Sequence, residues 1–141
     1  MTVFRLPKMD KHEIKRLIQE QILCRIAFKE SKYPYMAPFQ YVAMDGSLYF
    51  HFADYGKKMR LLEHDRHVCV EIEKYKPNLS EYSFVVFRGT LKVVTNPEER
   101  SKAIEKMAEY GKRKLSSKFL AAHGFKEGEN WSSFTPEKPW S

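Results

Sequence analysis

Only two residues, Asp45-Gly46, separate the β-rich runs 35–44 and 47–52, and a connection that short joins antiparallel neighbours. Asp-Gly suits a type I′ turn, whose two central residues both take φ > 0. Further β-leaning runs lie at 24–28, 68–73 and 83–94. The first is tied to 35–44 by a polar loop ending at Pro34, and the last contains Gly89, where a bulge or a sharp barrel bend would account for the missing side chain. Five strands, several joined by hairpin-length connections, predict a mainly β fold with flanking helices, an antiparallel barrel or strongly bent sheet and not a doubly wound α/β domain.

Helices are signalled at the ends of the chain and between strands. Asp10 with Glu13 has the form of a capping box, Met9 with Ile14 that of a hydrophobic staple, and Ile14, Leu17, Ile18 and Ile22 recur at helical spacing, which predicts a helix over 11–22. Residues 57–63 read as a short helix with Met59 and Leu62 inward. Asn96 before Pro97, with Glu99 three residues on, starts a third helix whose apolar face (Ile104, Met107, Ala108) runs up to Gly111, expected as its C′ residue. A short helix over 117–122 is expected to stop at Gly124. The tail carrying Trp131, Phe134, Pro136, Pro139 and Trp140 shows no period. With no repeat and no linker, residues 1–141 read as one domain, its core at about 10–95 and its C-terminal helices and tail at 96–141.

The composition is 43% hydrophobic, enough for a core, yet no apolar run approaches the roughly 20 residues of a membrane span and no signal-peptide core opens the chain. A soluble, cytoplasmic protein is expected. Cys24 and Cys69 form no CxxC and read as small core residues. His64-x-x-His67 near Cys69 spans a helix end and a strand start without a recognised ligand spacing, so no metal is expected. The formal charge of +7 suits an anionic partner, whether nucleic acid, headgroup or phosphate-bearing small molecule. The cluster Lys112-Arg113-Lys114 with Lys118 follows a helix C-terminus, where cations are favoured in any case. No catalytic triad, P-loop or GxGxxG pattern is present.

The most informative stretch runs from Leu48 to Arg60. Lys57, Lys58 and Arg60 fall in the first turn of a helix, where the unpaired N–H groups already carry about half a positive charge and each added cation costs roughly 0.3–1 kcal/mol. A phosphate seated among those amides would reverse the sign of the interaction. A solvated basic turn capped by Asp54 accounts for the same residues equally well.

Taken in order, Cys24-Arg25-Ile26-Ala27-Phe28, then Pro34 to Tyr41, then Asp45 to His51, then Gly56-Lys57-Lys58, then Val68-Cys69-Val70-Glu71 resemble the FMN-binding split-barrel superfamily, which includes pyridoxamine phosphate oxidase and the nitroimidazole-resistance proteins. The resemblance covers about residues 10–95 and implies an antiparallel Greek-key split β-barrel, FMN as cofactor, and a homodimer with each flavin in a cleft between the two barrels. Carried over position by position, it puts Lys57 and Lys58 on the phosphate, with His51, Phe52 and Ala53 at the strand end that touches phosphate and ribityl chain. Pro38, Phe39, Gln40 and Tyr41 fall on the strand whose backbone borders the ring. Trp131, a large aromatic in the aperiodic tail, would help close the site from the partner subunit, and ordinary docking of the tail accounts for it equally well. An FMN phosphate needs two or three cationic or N–H donors, and the ring a flat, partly apolar slot, which agrees with these residue types.

Two departures qualify the resemblance. Cys24 stands where the family often has Gly, and the chain from Asn130 to Ser141 lacks the Arg and His with which pyridoxamine phosphate oxidases read their substrate. The implied function is therefore an FMN-dependent oxidoreductase of unassigned substrate, and His51 favours the nitroimidazole-resistance branch. A non-enzymatic flavin carrier, a haem- or deazaflavin-binding relative with His51 or His64 as ligand, and a basic nucleic-acid-binding barrel are the alternatives.

Overall fold

The computed structural model describes residues 7–53, 56–114 and 129–140. Helix α1 (Lys11–Glu20) opens as its sequence requires: the Glu13 backbone N–H donates to Asp10 Oδ1 at 2.9 Å, and the Asp10 N–H donates to Glu13 Oε1 at 3.4 Å. It stops at Glu20, short of the expected 22, because Gln21 is already extended (ψ 158°) and the carbonyl of Ile22 accepts from the Tyr41 N–H at 3.1 Å, which draws the chain into the sheet.

The strands are β1 (Leu23–Phe28), β2 (Tyr35–Gln40), β3 (Val42–Met44), β4 (Ser47–Ala53), β5 (His67–Tyr75), β6 (Tyr82–Val93) and β7 (Glu129–Pro136); α2 (Lys57–His64) and α3 (Pro97–Lys114) lie between them. Asp45 (φ 51°) and Gly46 (φ 78°) make the expected hairpin turn between β3 and β4. All ladders are antiparallel, in the order β2-β1-β5-β6-β7-β4-β3. The strands at the two ends of that order, β2 and β3, are separated in sequence by Tyr41 alone. Because successive Cα atoms are about 3.8 Å apart, the sheet must curl until its ends meet. The result is the mainly antiparallel, barrel-like fold with flanking helices that the sequence predicts.

Two cores follow from this closure. Inside the curled sheet, Ile26, Phe28, Phe39, Phe50, Ile72 and Phe134 pack together. Outside it, α3 lays Ala103 and Met107 over Val42, Tyr49, Val94 and Trp131, and the Tyr49 O–H donates to Glu99 Oε2 at 2.7 Å.

Four expectations change. The single strand 35–44 is broken at Tyr41, where the chain passes from one end of the sheet to the other. The aperiodic tail contains β7, a central strand paired with both β4 and β6. Gly111 does not end α3, which continues to Lys114; it falls on the face of Ala103 and Met107 at i+4 spacing and is buried, so its small size is what the packing uses. Gly89 carries no bulge, since the β5–β6 register runs through it without a slip. A Cβ there would lie 2.1 Å from the Thr135 carbonyl oxygen and 2.8 Å from the Phe134 ring. Gly89→Ala is therefore expected to destabilise the protein by about 3 kcal/mol, read as a lower midpoint in urea unfolding; an unchanged midpoint would show that β7 can shift freely. The expected helix at 117–122 lies outside the described residues. Among the described residues, no helix is long and apolar enough to cross a membrane.

Candidate ligand site

Helix α2 begins unlike its two neighbours. α1 starts under Asp10 with Glu13 in its first turn, and α3 under Asn96, whose Oδ1 accepts from the Glu99 N–H at 3.0 Å, with Glu98 and Glu99 in its first turn. α2 has Gly56 at its N-cap, no side-chain cap and no acidic residue in its first turn. Gly56 sits at φ 100°, a conformation that strains any other residue, although open space surrounds the position where a Cβ would stand. The first-turn amides thus lack acceptors within the helix, and Lys57 and Arg60 lie in the same turn. Asp54, the alternative cap, lies outside the described residues.

Contacts from distant parts of the chain fix this corner. Lys57 Nζ stands 4.8 Å from the centre of the Tyr35 ring and 2.9 Å from Glu30 Oε1, which pins the start of α2 to the start of β2 and to the β1–β2 connection. Phe39 and Phe52 meet edge-on at 6.4 Å and hold β2 against the end of β4. Glu30 was not legible as a partner of Lys57, because nothing local links residues so far apart in sequence.

The other expected site residues divide by the face they occupy. Ala37 and Phe39 point into the barrel, so Phe39 can offer a ligand only its backbone, whereas Pro38 is exposed and Gln40 half-buried on the outward face. Phe52 also points inward, and Ala53 ends β4 opposite Glu129 of β7. His51 lies on the outer side of β4 with its ring 5.3 Å from that of Trp131.

Two more of the expected site residues have buried side chains. Tyr41 is buried with its O–H donating to the Ile18 carbonyl at 2.6 Å, and burial pushes its phenol well above the usual range; the ring anchors α1 and does not border the outward face. Trp131 is 2% exposed within the second core. It packs there with Val42, Tyr49, Val94, Ala103 and Met107.

Beside the corner, a hollow of about 380 Å³ is lined by Ala27, Lys29, Glu30, His67, Cys69 and Arg88 among others. Glu30 therefore belongs both to this hollow and to the Lys57 pair. Asp65 accepts from the His67 backbone N–H at 2.9 Å, from its Nδ1 at 2.8 Å and from Lys29 at 3.0 Å, and these contacts, the His67 backbone first, hold its carboxyl far below the usual range. His67 is thus engaged with Asp65, and among the described residues no group of three potential ligands stands close enough to hold a metal ion.

The hollow opens onto a larger surface. On the outward side of β1, β2, β5 and β6, Leu23 (54% exposed), Met36 (59%), Phe84 (41%) and Val86 (53%) stand in water together with Tyr75 and Tyr82. Arg25 sits among them in register with Glu71 and Pro38, its Nη1 3.5 Å from Glu71 Oε1 and hydrogen-bonded to Glu73. Partial burial, and then the adjacent Glu73, raise the Glu71 carboxyl above its usual value.

A seven-stranded antiparallel sheet curled so that one residue links its two end strands, with a helix inserted after the fourth strand and an uncapped start to that helix, defines a split barrel. The chain belongs to the pyridoxamine 5'-phosphate oxidase family, whose model matches residues 10–137. No curated protein matches it. Among solved structures it is similar to a FAD-binding protein from Mesorhizobium loti (17% identity, 92% of this chain and 91% of that chain covered, TM-score 0.71). It is also similar to a candidate 5-nitroimidazole antibiotic resistance protein from Bacteroides thetaiotaomicron (17%, 92% and 81%, 0.68) and to HutZ, the haem storage protein from Vibrio cholerae (16%, 92% and 92%, 0.69).

Proposed function

We propose that this protein binds FMN and acts as a flavin-dependent oxidoreductase, not a true pyridoxamine phosphate oxidase, in a homodimer that holds each flavin between two barrels. The observation that carries the reading is the start of α2: three helices begin in the described chain, and the one without a cap or an acid is the one that gathers lysines. A phosphate dianion would supply acceptors to those amides and would compete with Glu30 for the Lys57 ammonium. The exposed outer side of β2, with Pro38 and Gln40, and the neighbouring hollow give an isoalloxazine ring a flat, partly apolar bed of suitable size. Bound there, the flavin would supply the electron chemistry, and this chain the placement, the phosphate anchor and the exclusion of water.

Membership of the family and likeness to a FAD-binding protein support a flavin. The uncovered apolar side of β1, β2, β5 and β6 supports a second copy of the chain, because monomers rarely leave so many large apolar groups on one continuous face. Freshly purified protein is expected to be yellow, with the two-band flavin spectrum, and to release FMN on denaturation, identified by mass spectrometry. A Soret band, a deazaflavin mass, or colourless protein that fails to take up added FMN would replace this reading.

A further inference from the structure

The hairpin of β5 and β6 runs on past the rest of the sheet. The ladder of β5 with β1 covers only residues 68–71 and that of β6 with β7 only 89–93, so among the described residues 72–75 and 82–87 pair with nothing but each other. The inner side of this two-stranded arm is tied to α1, where Lys74 Nζ meets Glu20 Oε2 at 2.8 Å. Its outer side has no cover. There the rings of Tyr75, Tyr82 and Phe84 follow one another at 6.4 and 5.5 Å, and Leu79 at the tip is 64% exposed.

Leu79 also takes φ 58°, a conformation that costs a side chain of its size, where Gly or Asn would suit a free turn better. The turn is built to hold it: the Leu79 N–H donates to the Lys76 carbonyl at 2.8 Å, the Lys76 N–H to the Glu81 carbonyl at 3.0 Å, and the Ser80 N–H to Asn78 Oδ1 at 3.0 Å. Strain spent on keeping an apolar side chain in water points to something that covers it.

The opposite end of the same outward face is recessed. In register, Ala27, Cys69 and Arg88 form a row that lines the hollow beside the α2 corner, Arg25, Glu71 and Val86 form the middle row, and Tyr75 with Tyr82 begins the arm. From the middle row the tip lies about six residues away, roughly 20 Å, and the hollow extends about four residues the other way, roughly 13 Å. Two such faces related by a two-fold axis meet either like end to like end, tip against tip and hollow against hollow, or opposite end to opposite end. Only the second sets a projection over a recess. It also brings tyrosine rings, and not further cations, to the exposed Lys29, Lys32 and Arg88.

We propose that the β5–β6 arm is a clasp between two copies of this chain, its tip with Leu79 and Tyr82 closing over the partner's hollow as the outer wall of the partner's flavin site. The inference rests on the homodimeric flavin reading above and adds the segment that completes each site. The test uses the whole protein with Cys69 replaced by Ser, carrying Leu79→Cys, Lys32→Cys or both, examined by sedimentation velocity and then treated with a short bismaleimide.

Positions 79 and 32 lie at opposite ends of the face, so a cross-linked dimer on denaturing gels is expected in the double variant and in neither single one. A cross-link in either single variant would show like ends together and overturn the proposal, as would the absence of any cross-link in a protein that sediments as a dimer. Sedimentation as a monomer would remove the homodimer and the clasp with it. Leu79→Asn, in the otherwise unmodified chain, supplies a second arm: it suits the left-handed turn, so the urea midpoint should hold or rise, while FMN affinity by flavin fluorescence should fall about fivefold. Unchanged affinity would show that the tip covers no flavin. Failure of the unmodified protein to bind FMN is instead a failure of the flavin reading, and the cross-linking pattern still decides the clasp.

Discussion

In the double variant Lys57→Glu, Lys58→Glu, the affinity for FMN is expected to fall by about a hundredfold or more. Each charge-assisted contact to a phosphate contributes roughly 1.5–3 kcal/mol, and reversing two such charges turns attraction into repulsion. Fluorescence quenching of added flavin measures the change directly. Lys57 is nearly half exposed, so its substitution should leave unfolding almost unaffected, and a lost affinity can be assigned to the corner itself. The ion pair with Glu30 adds a second arm. The Glu30 carboxylate occupies the ammonium that a phosphate would use and repels the phosphate as well, so Glu30→Gln should strengthen FMN binding several-fold. If the double lysine variant binds FMN as the unmodified protein does, the phosphate lies elsewhere and the unusual start of α2 is a solvated basic turn.

The second large effect concerns assembly. Replacing Val86 by Arg and Phe84 by Asp puts two charges on the β6 side of the outward face of β1, β2, β5 and β6, where both positions are exposed in the single chain. In one copy these changes should be nearly neutral for folding. Between two copies they would bury unpaired charges, and the dimer is expected to weaken by at least about a hundredfold, seen as monomer in sedimentation velocity at micromolar concentration. Flavin affinity should fall with it if the ring is held between protomers. An unmodified protein that sediments as a monomer would remove the dimer. The Arg25, Glu71 and Glu73 cluster is the polar centre of that face; Glu71 already feels partial burial and Glu73, so a partner that covered it would have to keep Arg25 paired with both carboxylates.

What was readable in advance depended on how local its cause was. The capping box at Asp10, the turn at Asp45-Gly46 and the cation-rich start of α2 each arise within a few residues, and all three are present. Strand β7 was missed for a non-local reason. Trp131 points to α3 and Phe134 to the barrel interior, with Ser132 and Ser133 buried between them. A strand covered on both sides by different cores has no polar face, so its alternation disappears and it reads as a tail. The same non-locality hid the partner of Lys57 and the packing of Trp131 against α3. The glycines misled in a related way: at 89 and 111 the constraint is the nearness of another segment, which no single position announces.

The closure at Tyr41 also governs how the molecule can be cut. β2 and β3 share no ladder, so new termini placed on either side of this residue would remove the covalent link that holds the two ends of the curled sheet together and let their open edges part. Such edges recruit other chains. A circular permutant opened there should precipitate, whereas one opened at the exposed β5–β6 connection around Asn78 would keep its ring of strands intact.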